Sequence, residues 1–459
     1  MMRAFCNDDA MTFSALDSKL LGPLFATDAM REVFSDRNRL ATMLRTEAAL
    51  ARAQASLALA PRGLAAAIEA ISPDDLDLET IGKETAIAGV PTIPFIKAVR
   101  QKLPQELERA FHKGATTQDI VDTALVLQMR DGFELIERDL ARTVKGLAQL
   151  ARKHRATPCV GRTYGQHAVP LTFGYKVAVW TTGIAESAAE LPALRKRVLA
   201  ASLGGPVGTL ATFGDKGPAL LEAFARELDL TAPPIAWHAL RGRMAETGAW
   251  IALMIGTLAK MATDVVHLMS TEVGEVAEPH VPGRGGSSAM PHKRNPVSST
   301  VIMAAQAAAK GHLTTLLDAM AVSHERPPGL WHAEWLALPP LFGLASGALR
   351  EAVAMAEGLT IDAERMRKNL DMTQGLLFSD SVASALAARH GRGEAHHLIE
   401  AAAGQVRDEG KHLRDVLLAD PNLRDDKEAI ERAFDLAPFI DAAALWTDRA
   451  LENIQKLNI

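Results

Sequence analysis

Residues 119–155 read DIVDTALVLQMRDGFELIERDLARTVKGLAQLARKHR, and this stretch decides the fold. Met129, Phe133, Ile136, Leu140, Val144, Leu147 and Ala151 recur at steps of three or four, the spacing of a bundle or coiled-coil seam. At 1.5 Å per residue, about 35 helical residues span roughly 50 Å. A helix that long cannot be covered by a small domain. It needs partners of comparable length.

The candidate partners are residues 170–199, 238–275, 296–324 and 336–358, with ends marked by Pro or Gly. Together they predict an elongated bundle of about five helices in an all-α protein. Residues 204–208 (GGPVG) and 232–234 (APP) read as loops between them. Residues 1–111 form a small N-terminal helical domain. Within it, 39–57 is an Ala/Leu/Arg-rich helix carrying Glu47, and Pro61, Pro73, Pro91 and Pro94 break the remainder into short helices and turns. Pro104 precedes another short helix. Residues 112–359 are the central bundle domain, and 360–459 a helical C-terminal domain with Asp362 as N-cap.

Composition agrees. Only 5% of the 459 residues are aromatic, and Ala and Leu are abundant, which favours helix over sheet. Net charge is -5 and no basic tract is dense enough for nucleic acid. The two cysteines, Cys6 and Cys159, permit no disulfide framework and no CxxC metal pattern, which fits a reducing compartment. The N-terminal MMRAFCNDDAMTFSALD lacks an apolar core of signal-peptide length. The most apolar stretch, 249–269, is interrupted by Lys260 and Asp264 and reads as a buried bundle helix. A soluble, cytoplasmic protein with no membrane partner is expected.

Three polar segments interrupt this helical pattern. Residues 285–296, GGSSAMPHKRNP, are glycine-rich and basic, and no packed core has use for them. Two serines, Lys293 and Asn295 supply a hydroxyl for proton transfer, a cation and an amide donor. That equipment suits binding a carboxylate and moving a proton at the carbon beside it. Residues 112–123, HKGATTQDIVDT, place Thr116 and Thr117 at the start of the long helix, where N–H groups and hydroxyls point outward as an anion site or a plain N-cap. Residues 161–170, GRTYGQHAVP, precede a helix opened by Pro170, with Gln166 and His167 able to donate to a carboxylate. His292 and Arg294 read as exposed charge, and His396 and His397 as helix surface. No metal site and no cofactor are expected.

The 286–295 run resembles the signature of the fumarase/aspartase superfamily, Gly-Ser-Ser-x-Met-Pro-x-Lys-x-Asn, at every fixed position. The 112–119 string is similar to that superfamily's first signature segment, and the three-part layout is similar to its domain order. The resemblance implies a mobile loop that closes on substrate, with Ser287 as the proton-transfer residue and Lys293 and Asn295 holding a carboxylate. It places Thr116, Thr117, Gln118, Gln166, Ser288 and Met290 among the substrate contacts, with Asp119 and Asp122 organising the site. It also implies a homotetramer whose active sites combine segments from three subunits, and a small di- or tricarboxylate substrate.

Within the superfamily, the second segment departs from the adenylosuccinate lyases, which carry a general-acid histidine where this chain has Tyr164. A phenol with a pKa near 10 is a poorer shuttle at neutral pH than an imidazole near 6.5. Residues 323–335, SHERPPGLWHAEW, with Arg326, look like the Glu-Arg…Trp…Glu-Trp stretch of the 3-carboxy-cis,cis-muconate cycloisomerases. Residues 30–37 (MREVFSDR) and 391–397 (GRGEAHH) are similar to the same enzymes. Tyr164 resembles their non-histidine aromatic, usually tryptophan; Gly165 departs from their pattern. The resemblance implies lactonisation of 3-carboxy-cis,cis-muconate in aromatic degradation, by the β-ketoadipate route, with Ser287, Lys293, Tyr164 and His167 at the reacting atoms. A fumarate-releasing β-elimination on a substituted succinate and a sulfomuconate cycloisomerase share the same equipment. A catalytically silent scaffold is disfavoured because Ser287, Lys293 and Asn295 are all present.

Overall fold

The computed structural model describes residues 13–457 and 459; Cys6 and most of the N-terminal stretch read above lie outside them. Ser35 starts the first long helix. Its hydroxyl accepts from the Asn38 N–H at 3.1 Å, and α1 runs Asp36–Ser56. This helix lays Leu40, Met43, Leu44, Ala48 and Ala51 against Leu64, Ile68, Phe95, Val99 and Phe111 in a core of its own. Pro61, Pro73 and Pro91 separate short helices as expected. Pro94 instead sits in the first turn of the Thr92–Arg100 helix, where its missing N–H costs no hydrogen bond.

The long helix α2 spans Thr117–Lys153, 37 residues. Its seven seam residues, from Met129 to Ala151, are all at most 5% exposed, as the periodicity requires. The bundle is completed by α3 (Phe173–Val198), α4 (Gly242–Met269), α5 (Val297–Asp318) and α6 (Leu330–Gly358). Pro170 was expected to open the 170–199 helix after the polar 161–170 segment; residues 166–172 form a strand instead. β1 (Pro158–Thr163) and β2 (Gln166–Thr172) pair antiparallel, with Pro170 opposite Val160. A two-stranded ribbon has a free edge on each strand, so a proline without an N–H is tolerated there. The cap of α3 is Thr172, whose hydroxyl accepts from the Tyr175 N–H at 3.2 Å. α4 is shorter than expected at both ends, because His238 and Glu275 are drawn into buried contacts described below. α5 also stops short of residue 324. α6 begins six residues before the expected start and carries Pro339 and Pro340 within it.

The chain condenses into two compact units, residues up to 140 with 187–256 and 301–351, and residues 141–186 with 257–300 and 352–459. Each of the five long helices contributes a part to each unit. In the first unit Phe133 meets Phe342 and Trp250 edge-on at 5.1 and 6.0 Å, and Trp250 Nε1 donates to the Ser187 carbonyl at 3.1 Å. Gly248 lets α4 lie close to Leu316 of α5 and Leu341 of α6. Full burial of a side chain such as Phe133 contributes about 1.5–3 kcal/mol. In the second unit Phe173 stacks edge-on to His154 and Trp180. There the C-terminal helices bury Leu370, Val382, Leu386, Ile399, Leu413 and Ile430 around Val160 of β1. Asp362 caps the Ala363–Leu370 helix, accepting from the Arg365 N–H, as expected. α4 has the length and hydropathy of a membrane span, yet it is a bundle helix with Ile251, Met254, Ile255, Leu258 and Met261 buried. Lys260 pairs with Asp264 at 2.5 Å, and Trp180 Nε1 donates to Asp264 at 2.7 Å.

Gly347 in α6 shows which force dominates this packing. Alanine would favour the helix by about 1 kcal/mol. A Cβ there would stand 2.0 Å from the backbone oxygen of Phe25, which has no rotamer to escape by. We expect Gly347→Ala to lower stability by about 1–3 kcal/mol, read as a lower urea midpoint; an unchanged or raised midpoint would show that the Phe25 segment yields.

Candidate active site

The first segment is built around buried carboxylates. Thr116 and Thr117 stand half-buried at the N-terminus of α2. One turn in, Asp119 is fully buried. Its Oδ2 accepts from the N–H groups of Thr116 and Gly205, each at 2.9 Å, and its Oδ1 from Gly204 N–H at 2.8 Å and His238 Nε2 at 2.6 Å. The carboxylate can only accept, so the imidazole hydrogen lies on Nε2. Arg326 reaches the same place: its guanidinium donates to the Thr116 hydroxyl at 2.9 Å and to the Pro206 carbonyl at 3.1 Å. Its Nε is buried without a partner among the described residues. Thr116 and Arg326, 210 positions apart, are therefore neighbours.

Gln118 is fully buried, its amide nitrogen donating to the His238 carbonyl at 3.0 Å and to Asp122 at 3.2 Å. Its oxygen has no partner among the described residues. Asp122 also accepts from Arg241 and from Trp331 Nε1 at 2.9 Å, and Arg241 bonds Glu334 as well. One guanidinium thus serves two carboxylates while lying over the Trp237 ring at 4.8 Å. Burial holds Glu334 above the usual carboxylate range, against the pull of Arg241.

The second segment is the β1–β2 hairpin. Tyr164 and Gly165 are its two turn residues, with φ of 50° and 76°. Positive φ at both positions is the geometry of a type I′ turn, whose twist matches the strands. This accounts for Gly165. Tyrosine is strained at such a position, and Tyr164 is fully exposed at the tip. Gln166 is exposed and His167 half-buried, with Nδ1 lacking a partner among the described residues. Burial, then Arg162 and His267, push the His167 pKa down against the pull of Glu275, so its imidazole is neutral at pH 7. Arg162 grips buried Glu275 at 2.6 and 3.2 Å, and Asn369 donates to the same carboxylate at 2.7 Å. That ion pair sets the hairpin in place.

The third segment is tied at its base. Glu278 accepts from the N–H groups of Ser298 and Ser299 and from the Ser299 hydroxyl, at 2.8 to 2.9 Å, capping α5 from a distance. Asn295 N–H donates to the Gly285 carbonyl at 2.8 Å, and Gly286 bridges to Arg294. Ser287 is half-buried, and its Oγ accepts from the N–H groups of Met290 and Ala289 at 3.1 and 3.4 Å. Ser288, Met290, Lys293 and Asn295 are exposed, as are His292 and Arg294. Among the described residues, no hydrogen bond or ion pair links Tyr164, Gln166 or His167 to this loop. Thr116, Thr117, Gln118 and Arg326 belong to the first unit, the hairpin and the loop to the second. Burial pushes the Cys159 thiol up to about 12, so it is no nucleophile. His238, Glu275 and Glu278 carry no local motif that marks them; each acts through a partner far along the chain.

The sequence matches the family described as Lyase over residues 24–311 and Adenylosuccinate lyase C-terminus over residues 375–450. A 3-carboxy-cis,cis-muconate cycloisomerase from Pseudomonas putida is 45% identical over 420 residues, covering 91% of this chain and all of the relative. A nitrosuccinate lyase from Streptomyces davaonensis is 42% identical over 452 residues, 95% of each chain. The crystal structure of the 3-carboxy-cis,cis-muconate lactonizing enzyme from Pseudomonas putida superposes with a TM-score of 0.92, covering 96% of this chain and 100% of that one. The chain belongs to the lyase family of the fumarase/aspartase superfamily, whose motifs it carries at 286–295 and 112–119. It has the fold of an enzyme.

His112 opens the first segment in the left-handed region, with Nδ1 donating to buried Glu47 at 2.6 Å. Burial opposes charge on this imidazole, but Glu47 outweighs it and raises the pKa. A raised folded-state pKa gives stability that is complete below the unfolded value of about 6.5 and is lost as pH rises through the folded value. The stability advantage of the parent over His112→Gln should therefore shrink as pH rises from about 6.5 through the raised folded value. Urea midpoints at several pH values read it; an advantage that grows with pH would reverse the assignment.

Proposed function

We propose that this enzyme is a 3-carboxy-cis,cis-muconate cycloisomerase, acting in aromatic catabolism by the β-ketoadipate route. The observation that carries the reading is 45% identity to such an enzyme over all of its length, with Ser287, Lys293 and Asn295 in place. A carboxylate oxygen of the substrate adds to a carbon of the diene and closes the lactone. The displaced electron pair forms an enediolate on the neighbouring carboxylate, and the carbon beside it takes a proton from Ser287. Lys293 and Asn295 hold the enediolate oxygens. The N–H groups of Met290 and Ala289, already aimed at Ser287 Oγ, stabilise the alkoxide left behind. Thr116, Thr117, Arg326, Gln166 and Ser288 donate to the substrate's other carboxylate groups. Gln118, with its amide hydrogens engaged by Asp122 and His238, orders the start of α2. Met290 packs on the substrate, and His167 and Tyr164 line the reacting centre. No metal or cofactor enters these steps.

The active form in this reading is a cytoplasmic homotetramer in which different copies contribute the three segments, with 112–359 as the shared bundle domain between the 1–111 and 360–459 domains. Two features support the association of copies. Less than half of the most apolar window of α4 is buried by its own chain. Leu253, Leu336, Leu317 and Val179, all on bundle helices, are 47 to 76% exposed.

A fumarate-releasing lyase on a substituted succinate is the second reading, favoured by the 42% identity to the nitrosuccinate lyase and by Tyr164-Gly165 in the turn. An ultraviolet assay separates the two: loss of diene absorbance with a lactone product supports the cycloisomerase. No loss, with fumarate released from a substituted succinate, replaces it. Ser287→Ala should keep the oligomer and lose at least about 100-fold in turnover; near-normal turnover removes Ser287 from the mechanism. Tyr164→Asn should relieve the turn and raise stability by about 1 kcal/mol while lowering turnover. Tyr164→Phe at full rate would assign the ring, and not the hydroxyl, to function.

A further inference from the structure

We propose that His238 and Asp119 form a positioning pair that makes the start of α2 able to bind a substrate carboxylate; the inference rests on the carboxylate site proposed above. Asp119 lies at the third residue of α2, directly beneath Thr116 and Thr117. A carboxylate there repels a second carboxylate arriving at the helix N-terminus. The fold does not leave that charge bare. Four donors converge on Asp119, at 2.6 to 2.9 Å: three backbone N–H groups and the His238 imidazole. Both side chains are at most 3% exposed, so no water substitutes for a missing donor at low cost.

The same bonds fix the surroundings of the site. Asp119 clasps the 204–205 turn to the 116–119 turn. Arg326 then bridges Thr116 and Pro206, the residue after the clasped glycines. Glycines permit the close approach: a Cβ on Gly205 would stand 2.9 Å from the Gly114 carbonyl, just before the 116–119 turn, and one on Gly204 would meet the His238 ring at the same distance. The imidazole therefore acts through Asp119 on two things at once, the field at the anion site and the direction of Arg326. It does not touch substrate, and it is a positioning residue.

His238→Leu removes one donor from Asp119. We expect KM for 3-carboxy-cis,cis-muconate to rise about tenfold or more with kcat changed much less. His238→Gln, whose amide can donate to Asp119, should recover most of the loss. Calorimetric titration of the substrate into Ser287→Ala and into Ser287→Ala/His238→Leu should give the same ratio in affinity. An unchanged KM in His238→Leu, or an equal fall in kcat for the Leu and Gln variants, overturns the proposal and leaves packing as the role. If His238→Leu does not fold, Asp119→Glu carries the test, with the same KM-against-kcat split expected. Should the parent neither turn over nor bind the muconate, the functional reading fails. The pair is then read in the free protein by amide exchange of Thr116, Gly204 and Gly205. Exchange faster in His238→Leu and restored in His238→Gln sustains the clasp; unchanged exchange overturns it.

Discussion

Two carboxylates one turn apart, Asp119 and Asp122, lie at the buried start of the longest helix, and the order around that helix start depends on satisfying them. Neither finds its donors within its own turn alone. Asp122 draws Arg241, Trp331 and Gln118, and Arg241 in turn holds Glu334. Asp119 draws the 204–205 turn and His238. Leaving a buried charge unpaired costs about 3–5 kcal/mol, so these contacts are enforced. They determine where the 204–205 turn, Arg326 and residues 238–241, just before α4, stand. The apolar seam makes the helix; the carboxylates decide what surrounds its first turn.

The second unit is organised by the same device on a different scale. Arg162 and Asn369 converge on buried Glu275 and set the hairpin, while Glu278, three residues on, caps α5 and closes the base of the Ser287 loop. Among the described residues, the tips carry no side-chain bonds to distant segments. Tyr164 projects fully into solvent from a strained turn, and Lys293 and Asn295 are exposed on the loop. An anchored base with exposed chemistry at the tip suits a site that closes on its substrate.

Much of this was legible in one dimension because it is local. The 3.6-residue period from Met129 to Ala151 states which face of α2 is buried, and all seven residues are buried. The 285–296 run states its chemistry by composition, and Asp362 announces the helix it caps. Helix ends were less legible. Pro170 reads as a helix opener beside a helix, yet it lies in a strand, because the pairing of 158–163 with 166–172 is decided by backbone bonds between strands. Likewise 238–241 carries a helical pattern, but His238 is drawn to a carboxylate 119 positions away.

The sequence by itself determined the helical architecture, the family and the identity of the polar groups offered for chemistry, since periodicity and short motifs are properties of neighbours along the chain. Only the tertiary structure decided that Thr116 meets Arg326, that Asp119 meets His238, that Glu278 caps α5 and that Tyr164 sits at φ 50° in a hairpin turn. Those are contacts between distant residues, chosen by which buried donor can reach which buried acceptor, and no local pattern encodes that choice.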